Sequence, residues 1–303
     1  MTEFIQQLFN GLSLGSIYAL IALGYTMIYG ILRFINFAHG DVFMIGAFSG
    51  YYLAILFGFN TASGAFSLLL AFVILLGSMV ICAAMGFTIE KLAYKSLRNS
   101  PKLTILITAI GVSLFLEYTG QLVFGADPKS FPTLVENVPA IYLGEAVIYS
   151  NSIVVIAVSL ICMFFLRLIV MKTKIGTAMR ALSYNMTAAS LMGINLNRVI
   201  SFTFIIGSAL AAVAGILFGL NYPKIDPLIG ILYGLKAFVA AVLGGIGNIL
   251  GAALGGLILG LVETLVSGYV SSTFRDAIAF GILIIILLVR PSGLLGKKEI
   301  EKV

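Results

Sequence analysis

The sequence contains little of the chemistry on which metal sites, disulfide frameworks and hydrolytic enzymes depend. Its 303 residues include one histidine, two cysteines and no tryptophan. Both cysteines, Cys82 and Cys162, lie in apolar runs, where a thiol usually behaves as a small buried hydrophobic group. The Gly-x-x-x-x-Gly-Lys-Ser/Thr loop that cradles nucleotide phosphates is also missing. We therefore expect no catalytic residue, no metal site and no cofactor bound by this chain.

Charge is equally scarce. Asp, Glu, Lys and Arg make up 10% of the residues, whereas soluble domains average about 25%, and 60% of the residues are hydrophobic. Such a chain is a membrane protein. At about 20 apolar residues per span it accommodates about eight to ten crossings, which predicts an all-α, polytopic helix bundle with residues 1–303 as one domain. The residues before the first apolar run include an acid and no Lys or Arg, whereas a cleaved signal peptide begins with a positively charged segment. We therefore expect this run to remain as a helix.

Charge-poor apolar runs predict nine spans. The turn-forming segment 58–64 divides one long run, and the glycine-rich segment 244–248 divides another. The predicted spans are 4–32, 41–57, 65–87, 103–124, 153–170, 199–220, 229–243, 248–270 and 274–289. The runs 229–243 and 274–289 are short enough to be half helices or re-entrant segments, which leaves the count open by one.

The distribution of Lys and Arg predicts the orientation of the bundle. Segments 90–102 and 171–198 each carry four basic residues and at most one acid, so both should be cytoplasmic, as should the basic tail 290–303. Loop 125–150 carries three acids against one lysine and should be external, which places the amino terminus outside. Because this asymmetry accounts for nearly all of the net charge of +6, we expect lipid headgroups and cytoplasmic proteins as partners, and no nucleic acid.

A few polar groups fall in or beside the predicted spans, where an ionisable side chain marks either a translocation pathway or an internal ion pair. They are Asn36, His39, Asp41, Glu117, Lys236 and Glu263. Lys236 and Glu263 stand about equally far from the turn predicted at 247–251, so antiparallel spans would bring them to one depth in the outer half of the bilayer, where they should pair. Segment 36–41 suits a tight turn whose side chains cap a helix start.

Small residues recur at intervals of four on two predicted spans. Such stripes allow helix backbones to approach closely in lipid, either within one chain or at a subunit interface. The stripes are Gly207, Ala211, Gly215 and Gly219 on the sixth span and Gly251 and Gly255 on the eighth.

The segment 178–192 within the basic loop predicts two short amphipathic helices that join at Tyr184 and Asn185. Asn185 or Thr187 is a suitable cap for the second helix, and Gly193 is a suitable end. Their apolar faces need either the membrane surface or a soluble subunit as a partner.

This loop resembles the coupling loop of ABC-importer permeases, whose motif reads Glu-Ala-Ala followed after three residues by Gly. Thr187 stands here where the motif has Glu. The resemblance implies that the segment 171–198 contacts an ATPase. The residues that it assigns to this contact are Arg180, Asn185, Thr187, Ala188, Ala189 and Gly193.

Three more segments extend the resemblance over nearly the whole chain. Residues 36–47, the glycine pattern 244–256 followed by Glu263, and the closing segment 290–296 are similar to LivH-type branched-chain amino-acid permeases. The resemblance implies one membrane subunit of an ATP-driven importer for leucine, isoleucine and valine in the cytoplasmic membrane of a prokaryote. The implied partners are a second homologous permease, two cytoplasmic ATPases that bind ATP and magnesium, and an extracytoplasmic binding protein.

Three other functions stay open on the residues alone. Permeases for urea and short amides are similar around segment 36–40, so the cargo is not fixed by that motif. A stand-alone, ion-coupled carrier usually has more carboxylates or histidines in mid-membrane than this chain has. An intramembrane enzyme is the most remote, because no Ser-His pair, paired aspartates or metal cluster is evident.

Overall fold

The computed structural model describes residues 2–59, 68–98, 100–143 and 146–296, and most of these residues are helical. The α-helices are α1 (Thr2–Leu32), α2 (Ala38–Leu56), α3 (Leu68–Ile89), α4 (Lys102–Phe124), α5 (Ser150–Lys172), α6 (Lys174–Tyr184), α7 (Met186–Leu191), α8 (Leu196–Asn221), α9 (Ile229–Gly244), α10 (Ile249–Tyr269) and α11 (Arg275–Val289). A π-helical turn, Glu90–Tyr94, and a 3-10 turn, Lys95–Leu97, extend α3, and a second 3-10 turn, Ser272–Phe274, precedes α11.

Two short antiparallel strand pairs lie in the loops. They are β1 (Lys129–Ser130) with β4 (Lys224–Ile225), and β2 (Pro139–Leu143) with β3 (Ala146–Tyr149). The fold is therefore an all-α polytopic bundle, as the composition predicts.

Each predicted span corresponds to one long helix of the bundle. Within the described residues, seven helices are long and apolar enough to cross a membrane by length and composition. Two others fall short of that standard, since α9 has 16 residues and α2 carries His39 and Asp41 in its first turn. The turn predicted at 58–64 lies outside the described residues from position 60 onward, and so does the tail 297–303.

Contacts between loops sort them onto two ends of the bundle. At one end β1 pairs with β4, and the backbone N–H of Val147 donates to the Gln6 side chain near the start of α1. We call this the hairpin end. At the other end Arg98 donates to Asn197, and the backbone N–H of Leu294 donates to Leu243.

We call this second end the basic end, because segments 90–98 and 171–198 lie there. This grouping agrees with the alternation of spans predicted from Lys and Arg, whereas the orientation of the basic end toward the cytoplasm stays a prediction.

Helix α1 is the centre of the bundle. Every residue from Ser13 to Ile28 is buried, and the helix packs against α5, α8, α9 and α10. A helix that is apolar on all sides suits such a position. By contrast, α3, α4, α5 and α11 each carry several large apolar side chains that are exposed, which suits a surface that faces lipid.

Glycines bring α1 and α10 into backbone contact. A Cβ atom built on Gly15 would lie 2.8 Å from the Cα of Leu257, and one built on Gly260 would meet the backbone of Gly15. Glycines also bring the backbones of α9 and α10 into contact near the turn between them. Gly251 contacts the backbone of Gly244, and Gly255 contacts the carbonyl of Ala240.

The stripe on α8 faces other parts of this chain. Gly207 packs on Gly24 of α1, Ala211 is fully buried, and Gly219 lies under the ring of Phe131. At Gly215 a Cβ atom would lie 2.5 Å from the carbonyl oxygen of Phe43 in α2. All four positions are thus used within the chain.

Replacing Gly215 with alanine should lower thermal stability, because the added carbon meets backbone atoms of α2 that cannot rotate away. Overpacking of this kind costs about 1–3 kcal/mol, and leucine at this position should disturb assembly further. Size-exclusion chromatography of the detergent-solubilised protein after heating measures the effect.

The matched control is Gly111→Ala on α4, where no atom lies within 4 Å of the new Cβ. Alanine there should be neutral or stabilise by up to about 1 kcal/mol through helix propensity. Equal melting temperatures for the two variants would contradict the close contact of α8 with α2.

Candidate functional site

Helix α2 begins deep inside the bundle. The ring of His39 packs against Gly24 of α1, and Gly24 stands eight residues before the end of α1 at Leu32. At a rise of about 1.5 Å per residue, the first turn of α2 lies about 12 Å inside that end. Segment 33–37 therefore folds back into the bundle, a feature that the sequence did not predict.

The prediction that segment 36–41 forms a side-chain-capped turn is wrong. The residue before α2 is Phe37, with no side-chain capping bond, and His39 and Asp41 lie within the helix. The side chains of Asn36 and Asp41 have tertiary partners instead. Asn36 Oδ1 accepts from the hydroxyl of Tyr94 over 2.6 Å, and Ser113 of α4 donates to Asp41 Oδ2 over 2.5 Å.

Asp41 and Glu117 lie close together through Ser113. The Ser113 hydroxyl is within hydrogen-bond distance of both carboxylates, 2.5 Å from Asp41 and 3.4 Å from Glu117. The exposed fractions of Asp41 and Glu117 are 1% and 8%. The fold therefore brings together two of the acids that the sequence marks, on α2 and α4.

A group of four charges joins α9, α10 and α11. Lys236 Nζ lies 2.5 Å from Glu263 Oε1 and 2.5 Å from Asp276 Oδ1, and Arg275 Nε donates to the same Glu263 oxygen. The hydroxyl of Tyr18 on α1 donates to Glu263 Oε2 over 2.8 Å. We call Lys236, Glu263, Arg275 and Asp276 the charge cluster.

The charge cluster is neutral overall and extends from the interior to the surface. Lys236 and Glu263 are each 1% exposed, whereas the side chains of Arg275 and Asp276 are 27% and 50% exposed. A lone charge in a low-dielectric interior costs several kcal/mol, so mutual neutralisation is what makes this burial possible. The cluster lies near the hairpin end, because Arg275 and Asp276 open α11. The role of the charge cluster stays a prediction: these residues either line the translocation pathway or form a structural ion pair.

Sequence reasoning missed three members of this arrangement. Arg275 and Asp276 are adjacent at the start of the last predicted span, and an Arg-Asp pair in that position was an available signal. Tyr18 lies in a charge-free run, and nothing in the sequence separates it from the other tyrosines. Within the described part of the chain, no three His, Cys, Asp or Glu side chains group closely enough to hold a metal ion.

The basic loop folds as two short helices that meet at Asn185. Helix α6 begins at the cap Thr173, and Asn185 Oδ1 accepts from the backbone of Ala188 to cap α7. Gly193 ends α7 with φ +81°, and the backbone N–H groups of Gly193 and Ile194 bond back to the carbonyls of Ser190 and Ala189. Glycine favours this left-handed conformation, which is the usual helix stop.

One side of this loop is open. Tyr184, Leu191 and Met192 have exposed fractions of 90%, 84% and 83%, whereas Met179 and Leu182 of α6 are buried against the bundle. The predicted contact residues Arg180, Asn185, Thr187, Ala188 and Gly193 are also on the surface. Ala189 is 5% exposed, so it packs α7 against this chain and offers no open surface.

A buried ion pair connects this loop to α3. Arg98 donates to Glu90 in the π-helical turn and, over 2.6 Å, to Asn197 in the first turn of α8. Ser201 of α8 donates to the other oxygen of Glu90 over 2.7 Å. The sequence predicts Glu90 in a loop, whereas the structure buries it completely because these donors surround it.

Comparison with known proteins gives a consistent result over almost the entire chain. A family model described as the permease component of branched-chain amino acid transport systems matches residues 7–287. The chain is 46% identical over 304 residues to the high-affinity branched-chain amino acid transport system permease protein LivH of Escherichia coli strain K12. It is 45% identical over 306 residues to LivH of Salmonella typhimurium and 44% identical over 307 residues to the permease protein BraD of Pseudomonas aeruginosa. Each alignment covers 99% of this chain and 98% of the relative.

Replacing Glu263 with alanine should destabilise the protein more than replacing Lys236 and Glu263 together with methionine. The single change leaves Lys236 and Arg275 without their shared acceptor, and breaking a buried pair costs about 3 kcal/mol or more. The double change removes one of the two cations as well. Melting temperatures of the purified protein in one detergent measure the difference.

Asp276→Asn is the comparison variant, because the Asp276 side chain is half exposed and Lys236 keeps Glu263 as an acceptor. Its melting temperature should fall less than that of Glu263→Ala. If the effects of Lys236→Met and Glu263→Met simply add in the double variant, the two charges are not coupled.

Proposed function

The chain belongs to the permease-component family of branched-chain amino acid transport systems, and on that premise we propose that it forms half of the translocation pathway of an importer for leucine, isoleucine and valine. It is a polytopic membrane permease of the ABC type, from a family of transporters and not of enzymes. The observation that supports this cargo is the sequence identity of 44% to 46%, over nearly the full length, with permeases named for high-affinity branched-chain amino acid transport.

The proposed importer contains four kinds of subunit. This chain pairs with a second homologous permease, two cytoplasmic ATPases bind ATP and magnesium, and a binding protein delivers cargo from outside. Permeases of ABC importers work in such assemblies in general, and the open face of the basic loop supports an ATPase contact in this chain. The chain itself binds no cofactor, and its basic end faces the cytoplasm.

The mechanism follows from the connections of the basic loop. Closure of the ATPases on ATP pushes α6 and α7, and Asn195 joins that loop directly to α8 by accepting from the N–H of Arg198. The Arg98 and Glu90 contacts extend the displacement to α3. Because packed helices have discrete arrangements, the push shifts the pair of permeases between outward-open and inward-open states.

Reconstitution into proteoliposomes tests the proposal. Labelled leucine should enter only when ATP, the ATPases, the second permease and the binding protein are all present, and unlabelled isoleucine and valine should compete. Competition by urea or acetamide, and not by valine, would assign the cargo to short amides. Uptake by this chain alone under a proton gradient would make it an ion-coupled carrier.

Replacing Gly193 with valine should lower ATP-driven uptake at least about fivefold, since a β-branched residue resists φ +81° by about 1–2 kcal/mol. Uptake per assembled importer is the measurement. Gly193→Asn is the control, because asparagine tolerates this conformation and no atom within 4 Å obstructs a side chain there. Unchanged uptake in a well-expressed valine variant would count against a role for this helix stop in coupling.

Replacing Leu191 and Met192 with serine should weaken the ATPase contact more than about tenfold, because each large apolar side chain contributes about 1.5–3 kcal/mol when it is buried. Co-purification of the ATPases with the permease in detergent measures this contact. The control is Tyr142→Ser, an exposed side chain (68%) at the hairpin end. Equal recovery of the ATPases from all three proteins would place their contact elsewhere.

A further inference from the structure

A cavity of about 590 Å³ opens at the basic end of the bundle. Its walls come from the ends of α1 and α5, from α6, and from the turn between α9 and α10. Among the lining residues are Arg33, directly after the end of α1, Arg167 of α5 and Arg180 of α6. None of the described residues that line the cavity is an aspartate or a glutamate.

The guanidinium groups of Arg167 and Arg180 keep donors with which to bind an anion. Arg180 Nη2 donates to Thr177 Oγ1 over 3.2 Å, and a guanidinium carries five N–H donors. Arg167 is exposed and shares no hydrogen bond or ion pair with any other residue of the described ranges. Arg33 Nη2 donates to the carbonyl of Ser183, which anchors α6 to the end of α1.

The start of α10 adds to the positive potential. Ile249 and Leu250 open this helix on the cavity wall, and the free N–H groups of a helix start carry partial positive charge. Asn248 holds the turn in place, since its Oδ1 accepts from Gly251 and its Nδ2 donates to the carbonyl of Leu295. The cavity is therefore a preformed, strongly cationic site.

Its flanks are apolar and belong to membrane helices. Met171 and Leu250 line the cavity and each is 49% exposed. Arg167 stands five residues before the end of α5 at Lys172, about 7.5 Å along a helix that is long and apolar enough to cross a membrane. A ligand with an anionic head and apolar chains matches this combination, whereas a soluble anion would leave the flanks unused.

We propose that this cavity binds the phosphate of an anionic phospholipid from the leaflet at the basic end. Arginine forms paired hydrogen bonds with phosphate oxygens, and basic pockets between membrane helices recognise anionic headgroups. Because Arg167 is on α5 and Arg180 is on α6, one phosphate joins the basic loop to the membrane bundle. The inference does not depend on which cargo the permease carries.

Native mass spectrometry of the purified importer, titrated with phosphatidylglycerol or phosphatidylcholine, tests the site. Phosphatidylglycerol should bind the wild type more tightly than phosphatidylcholine does. The double variant Arg167→Gln/Arg180→Gln should bind it about thirtyfold more weakly, since each basic residue near an anionic headgroup contributes about fivefold. The matched control Lys172→Gln/Lys174→Gln removes two cations from the same end without altering a lining residue, and should bind as the wild type does.

Four results would overturn the proposal. Equal binding by the wild type and the arginine variant would show that the cavity is not the lipid site. Displacement of the lipid by millimolar inorganic phosphate would assign the cavity to a soluble anion. Binding that appears only after the ATPases are removed would assign it to an acidic group of the ATPase, and binding that appears only after truncation behind Gly296 would assign it to the tail of this chain.

Discussion

The structure depends on how closely its helix backbones approach each other. Lipid chains are as apolar as leucine, so burying an apolar side chain between helices gains little in a membrane, and contact between backbones has to stabilise the bundle instead. Helix α1 meets α10 where Gly15 and Gly260 lack side chains, and α8 meets α2 at Gly215 in the same way. The central position of α1 follows from these contacts.

Two buried acids of this bundle, Glu263 and Glu90, lie in hydrogen-bonded sets that include a basic partner. Glu263 accepts from Lys236, Arg275 and Tyr18, so its charge is matched on both oxygens. Glu90 has the same arrangement, with Arg98 on one oxygen and Ser201 on the other. Each buried acid therefore joins helices from distant parts of the sequence, and the cost of an unpaired charge makes these connections specific.

The helices and their order along the chain were predictable because apolar runs and glycine-rich breaks are local properties. The pairing of Lys236 with Glu263 was predictable for a related reason, since both flank one turn at equal distance. The remaining partners were not, because Asp276 and Tyr18 approach the pair only through the packing of α11 and α1. The fold-back before α2 was not predicted, because Asn36 and Asp41 form hydrogen bonds with residues that are distant in the sequence, Tyr94 and Ser113.

In the proposed mechanism α8 is the helix that responds to the basic loop, and the same contacts explain why. It starts at Leu196, three residues after Gly193, so only Ile194 and the cap Asn195 separate it from the end of α7. At Gly207 it approaches the backbone of α1 and at Gly215 that of α2, and an element packed this tightly shifts its neighbours when it moves. Because α2 carries His39 and Asp41 at its inner start, the displacement proposed for the loop would reach these buried polar residues through two packed helices.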